Sequence, residues 1–216
     1  MATSISYSHD GHGHYVVSFD EDAIRTTLAD SGDAVDSWLD EIYRVHRRRL
    51  HRLVVGLDVE WRHSSYDYGY GYYYARTPPV ALLQICVGRR CLVFQILHAD
   101  YIPGSLFDFF ADERFTFVGV GVHDDLAKLR AGYGLEAACA EDLRALAADE
   151  LGNPALRSAG LQALVWEVMG VRMEKPHCVR VSAWDARNLS YDQLKYACVD
   201  AFASFEVGRR LYDGDY

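Results

Sequence analysis

Near its start the chain alternates apolar and polar positions. Ile5 and Tyr7 stand among Ser4, Ser6 and Ser8, and Tyr15, Val17 and Phe19 follow around Ser18, with Asp10-Gly11 and Gly13 between. A period of two on either side of a glycine-containing break predicts an N-terminal hairpin. From Asp33 the spacing turns helical: Val35, Trp38, Leu39, Ile42 and Val45 form one stripe, with Ser31 or Asp33 placed to cap it. That helix ends in RVHRRRLHR, Arg44 to Arg52. LVVGLDVEW, Leu53 to Trp61, is apolar almost throughout, as a central strand buried on both faces must be. Two further apolar runs, Ala81 to Val87 and Cys91 to Leu97, are joined by Gly88-Arg89-Arg90 and predict a second hairpin. A short helix is expected after Pro103, then a strand over Phe115 to Val120 and a helix opening near His123. Leu161, Leu164, Val165 and Val168 mark a helix stopped by Gly170, and Ser190 with Gln193 supplies a capping box for a last helix running towards Leu211.

Strands first and helices later, with no linker-like composition from residue 50 to 212, predict one mixed α/β domain. Half of the 216 residues are hydrophobic and a quarter charged, the balance of a globular protein rather than a disordered or fibrous one. No apolar run reaches the roughly 18 residues a membrane-spanning helix needs. The first residues match no leader pattern, so the expected address is the cytosol or the nucleus. Five cysteines without a CxxC pair argue against a disulfide framework or a zinc knuckle and read as reduced, mostly buried thiols. The net charge of −9 disfavours nonspecific wrapping of nucleic acid, so a polyanionic substrate has to be met locally.

Three places carry candidate chemistry. Asp58 and Glu60 lie two apart on the expected central strand, which puts both carboxylates on one face. Two like charges side by side in a sheet call for a metal or a shared proton unless the strand end emerges into water. Tyr196 and Asp200 stack at i, i+4 on the last helix, beside a stripe of Leu194, Ala197, Ala201 and Phe205. In VGVGVHDDLAKL, Asp124 or Asp125 opens a helix at the carboxyl end of a strand, a position where Asp is also an ordinary helix cap.

In this order the motifs resemble the DnaQ-like 3′–5′ exonucleases of the DEDDy type. VVGLDVEW, VGVGVHDDLAKL and LSYDQLKYACVDAFASFEVGRRL are similar to the three motifs of Werner-syndrome-type exonuclease domains, and AGLQALVWEVMG and VSAWDARNLS to the stretches leading into the third. The likeness runs from about Leu53 to Leu211, and the first 50 residues resemble short plant members of the family, some of which act on RNA in small-RNA silencing and assemble as rings. It implies an RNase H-like, five-stranded mixed sheet flanked by helices, with residues 1–50 a hairpin-and-helix extension packed on an exonuclease domain of residues 51–216. The signature positions are Asp58, Glu60, Asp125, Tyr196 and Asp200, Asp125 being preferred to Asp124 for its place relative to Gly119-Val120-Gly121. All the implied metal ligands, Asp58, Glu60, Asp125 and Asp200, are hard oxygen donors, which suit two Mg²⁺ or Mn²⁺ ions. The implied reaction is hydrolysis of single-stranded nucleic acid, RNA ahead of DNA, from the 3′ end to nucleoside 5′-monophosphates, with Tyr196 orienting the attacking water. A homo-oligomer and small-RNA silencing proteins are the implied partners.

The remaining motifs read more plainly. The Arg44 to Arg52 cluster is an exposed helix end beside a negative helix dipole, or a guide for substrate. The tyrosine-rich Tyr66 to Tyr74 segment is a long loop able to stack unpaired bases, contact a subunit, or move freely. Trp61 is a strand-end core residue or a nucleotide contact; His9, His12 and His14 read as exposed hairpin residues, and His123 has no role. The rival reading is a catalytically weak nuclease-fold protein that binds nucleic acid or a silencing partner.

Overall fold

The computed structural model describes residues 3–7, 14–61 and 78–216. In chain order it contains β1 (Ser4–Tyr7), β2 (His14–Phe19), β3 (Asp22–Ala29), α1 (Gly32–His46), β4 (Leu53–Trp61), β5 (Val80–Val87), β6 (Arg90–Phe94) and α2 (Gly104–Ala111). β7 (Phe115–Gly119), α3 (Val122–Tyr133), β8 (Cys139–Asp142), α4 (Leu143–Glu150), α5 (Leu161–Met169), α6 (His177–Arg180) and α7 (Tyr191–Asp213) follow. Among the described residues the eight strands form one mixed sheet in the order β1-β2-β3-β6-β5-β4-β7-β8. The expected five-stranded sheet is the β6-β5-β4-β7-β8 part, with β5 antiparallel to β4 and β6, and β4, β7 and β8 parallel. β3 lies parallel to β6, so the N-terminal strands continue the sheet.

Two strands go beyond the sequence pattern. β3 follows β2 through the two-residue turn Asp20-Glu21, with Asp20 at φ 53°. Such turns normally announce themselves with Asn-Gly or Asp-Gly, and Asp-Glu gives no such signal. β8 is four half-exposed residues, CAED, too short and polar to show a period. β6 stops at Phe94, earlier than its apolar run suggests, because the chain turns at Gln95, whose side chain donates to the carbonyls of Ala186 and Arg187. Ser31 stands at the start of α1, but its side chain caps nothing.

The sheet divides the core. Val35, Trp38, Leu39 and Ile42 of α1, Leu106, Phe109 and Phe110 of α2 and Val122 and Leu129 of α3 cover one face. α7 covers the other and is itself covered by α4 and α5, which is why it is buried on nearly every side from Gln193 to Gly208. Its start is fixed by the expected capping box: Ser190 accepts from the Gln193 N–H, and the Gln193 side chain accepts from the Ser190 N–H. Among the described residues no helix is long and apolar enough to cross a membrane. Cys86, Cys91 and Cys198 are buried free thiols, whereas Cys178 is exposed, a departure from the expected pattern.

Candidate active site

The site forms at the carboxyl ends of β4 and β7, where α7 crosses the sheet. Gly56 permits the crossing: a Cβ there would come within 2.1 Å of the Ala201 carbonyl and 2.4 Å of the Phe205 nitrogen. The helix backbone therefore rests directly on the strand, and Asp200 hangs beside Asp58 and Glu60. Asp58, Glu60 and Asp200 each bring one carboxylate oxygen to within 4.8 Å of the others. Asp125 stands outside that group, in the first turn of α3, close enough for the Asp58 charge to act on it. Its neighbour Asp124 is exposed, whereas Asp125 is buried. α3 is anchored by Gly121, whose left-handed backbone (φ 75°) begins the helix and whose N–H donates to Asp142, 3.0 Å away.

Glu60 and Asp200 are held out of water, and Asp58 is half-buried at the mouth of the cluster. Glu60 is 8% and Asp200 1% exposed. Burial, reinforced by the neighbouring acids, pushes Glu60 up to about 10. Burial raises Asp200 to about 8 despite the opposing Lys175 charge, and burial with the Asp58 charge raises Asp125 to about 7. Asp58 moves upward too, burial outweighing Lys175. Desolvation thus makes the ionised cluster costly, and only added positive charge offsets it.

Two lysines supply part of that charge. Lys175, in the irregular segment between α5 and α6, places its ammonium 2.5 Å from Asp200 Oδ2 and 5.1 Å from the centre of the Tyr196 ring. Burial works against its charge, but Asp200 and Asp58 outweigh burial and hold it firmly protonated. Lys128 pairs with Asp125 at 3.2 Å and lies 4.3 Å from the centre of the Trp61 ring. Lys128 was legible as an i, i+3 partner of Asp125. No periodicity marks Lys175, a lone cation in MEKPH. Its segment is pinned by Gln162, which donates to the Met173 carbonyl at 2.8 Å.

Both side-chain oxygens of Asp200 are buried; Oδ2 is held by the Lys175 ammonium, and Oδ1 has no hydrogen-bond partner among the described residues. Three clustered carboxylates, one of them with an oxygen free of hydrogen bonds, are the hard donors a divalent cation requires, so the donor set fits one. Tyr196, 6% exposed, packs against Trp184 with ring centroids 5.8 Å apart. Burial and the Asp200 charge raise its phenol well above the usual range, which keeps it protonated at neutral pH. Trp184 is held by donating to the Arg180 carbonyl at 3.0 Å, a structural role for the VSAWD stretch. A cleft of about 490 Å³ opens beside Asp58, lined also by Gln162, Lys175, His177 and Arg180.

The other expected contacts lie elsewhere. The arginine cluster precedes the opposite end of β4, about 17 Å along the strand from Asp58, where Arg49, Arg52 and Arg209 line a separate cavity of about 400 Å³. His123 is exposed. The tyrosine-rich segment, His9 and His12 lie outside the described residues.

Residues 30–213 match the family model described as 3′-5′ exonuclease. The chain belongs to the 3′-5′ exonuclease family. Within that exonuclease family, an Arabidopsis thaliana 3′-5′ exonuclease is 36% identical over 160 residues, 74% of this chain and 52% of its own length. The Arabidopsis thaliana protein RISC-interacting clearing 3′-5′ exoribonuclease 1 is 30% identical over 107 residues, 50% of this chain and 52% of its own. Escherichia coli RNase D has the same fold, with a TM-score of 0.67 and 22% identity over 88% of this chain and 45% of that one. The matched part of the chain thus spans about half the length of these two curated relatives. The DnaQ-like, RNase H-like fold expected from the motifs is the fold found.

Proposed function

We propose that the chain hydrolyses single-stranded nucleic acid from its 3′ end, releasing nucleoside 5′-monophosphates, with RNA preferred to DNA. The observation that carries this is the meeting of Asp58, Glu60 and Asp200 within 4.8 Å, with Asp200 Oδ1 buried and unbonded among the described residues. In this reading Asp58, Glu60 and Asp200, with Asp125 acting through water, hold two Mg²⁺ or Mn²⁺ ions. Such ions supply Lewis acidity at the scissile phosphate and lower the pKa of the attacking water.

The chain's own groups do the positioning. Tyr196 stays a phenol at neutral pH, so it orients the attacking water as a hydrogen-bond partner rather than removing its proton. Trp184 behind it fixes the ring. Lys175 and Arg180 on the cleft wall offset the charge of an entering phosphate, which answers the objection raised by a net charge of −9. The RNA preference rests on similarity to the Arabidopsis protein named an exoribonuclease. The name of that relative, RISC-interacting, favours small-RNA silencing proteins as partners; a homo-oligomer is part of the same proposal, and sedimentation velocity of the purified chain is its direct check.

The decisive test incubates the protein with matched 5′-labelled single-stranded RNA and DNA in Mg²⁺, in Mn²⁺ and in EDTA, beside an Asp58→Ala, Glu60→Ala variant. A metal-dependent ladder shortening from the 3′ end, faster on RNA and absent from the variant, is expected. Intact oligomers with retained binding would instead favour a nucleic-acid-binding protein.

A further inference from the structure

α5 buries Leu161, Leu164, Val165 and Val168 and turns Trp166 outward, where the indole is 51% exposed. Trp38 and Trp184 are 3% and 0% exposed. Single exposed aromatics are ordinary on a protein surface; what sets Trp166 apart is the cation at its edge and the cavity it lines. Arg172, from the segment that also carries Lys175, places its guanidinium 5.7 Å from the centre of the Trp166 ring, steadying it. Trp166, Arg172, Glu174 and Lys175 line a cavity of about 720 Å³. This cavity shares Gln162 and Lys175 with the cleft that contains Asp58. One groove therefore runs from the carboxylates, past Lys175, to an exposed aromatic face with a cation at its edge.

We infer that this groove is a second nucleotide subsite, in which an unpaired base upstream of the scissile bond stacks on Trp166 while Arg172 meets the backbone phosphate. The inference rests on the exonuclease reading above and extends it to substrate length and strandedness. An aromatic face holds any base without reading its identity, and adjacent cations follow the backbone. Stacking needs a base free of its complement, so the subsite selects single strands over duplex ends. Glu174 is the one acid on the groove's outer wall, and its repulsion keeps the phosphate on the Arg172 side.

The test compares substrates that reach Trp166 with one that cannot. Wild-type, Trp166→Ala, Trp166→Phe and Arg172→Gln proteins are assayed on single-stranded oligomers of two to twelve nucleotides, on a blunt duplex, and on the p-nitrophenyl ester of a nucleoside 5′-monophosphate. For Trp166→Ala, KM for the longer oligomers should rise about tenfold with kcat nearly unchanged, while ester hydrolysis stays at the wild-type rate. Trp166→Phe should recover most of the loss. Arg172→Gln should weaken binding of the longer oligomers and lower its salt slope by about one. In EDTA, oligomer binding should quench tryptophan fluorescence in the wild type and much less in Trp166→Phe.

Equal effects of Trp166→Ala on ester and oligomer would overturn the subsite, because they would mark a structural role. So would wild-type kinetics in Trp166→Ala, or blunt duplex ends cleaved as readily as single strands. Failure of the wild type on every substrate sinks the exonuclease reading itself, an outcome distinct from these.

Discussion

Two buried carboxylates on α7 are treated in opposite ways. Glu206 is clasped by Arg209 through two hydrogen bonds of 2.8 and 2.9 Å and by Arg210 at 2.9 Å. Burial would raise it, but those arginines outweigh burial and hold it below the usual carboxylate range. Asp200, earlier on the same helix, has a single ammonium beside Oδ2, no hydrogen bond to Oδ1, and a pKa raised to about 8. Burial is common to both, so burial does not distinguish an acid proposed for the site from a structural one. The distinction lies in lone pairs left open where positive charge can still enter.

Exchanging Asp200 for Asn should break the comparison most severely. Turnover should fall about a thousandfold or more, and the rise in melting temperature produced by Mn²⁺ should vanish while the metal-free protein stays folded. Thermal melts with and without the ion, run beside the gel assay, read both effects. Activity within tenfold of wild type would remove Asp200 from the site. Glu206→Gln tests the other half and should cost about 1–2 kcal/mol in urea denaturation, since the arginines are partly solvated and lose only part of a charge-assisted network. Its kcat should remain within twofold of wild type.

The smallest effect is a proton count. Without metal, Asp125, Asp200 and Glu60 titrate near 7, 8 and 10, against ordinary values of 3.8 to 4.5. Folded-state pKa values raised in this way contribute stability fully present below about pH 4 and lost as pH rises through 7 and beyond. The metal-free protein should therefore melt lower at pH 8 than at pH 5, as far as these groups decide it. A cation binds the ionised forms, so it should displace on the order of two protons per site at pH 7, and its apparent affinity should rise with pH. Calorimetry of Mn²⁺ binding in buffers of different ionisation enthalpy counts those protons directly.

Much of this arrangement was legible before any coordinates. The period of two put Asp58 and Glu60 on one face, and the i, i+4 spacing put Tyr196 above Asp200. The capping box and Gly170 fixed helix boundaries because both act through local backbone chemistry. What escaped was non-local or unpatterned. β3 hides behind a turn without glycine, and β8 is recognisable only by its pairing with β7. Lys175 lies in a segment without regular structure, and its role depends on where Gln162 pins that segment. Gln84 is another case: it sits opposite Asp58 on β5, fully buried with no hydrogen-bond partner among the described residues. Nothing in ALLQICV hints that its amide would neighbour the acids.

The contact at Gly56 has a consequence for divergence. The spacing between Asp58 and Asp200 is gauged by main chain resting on main chain, with no side chain interposed. Core residues around it can change size and be re-accommodated by their neighbours without altering that gauge. A lineage can then rewrite most of its interior while the distance between its working oxygens is inherited intact, so long as one hydrogen atom is all that position 56 presents to the helix.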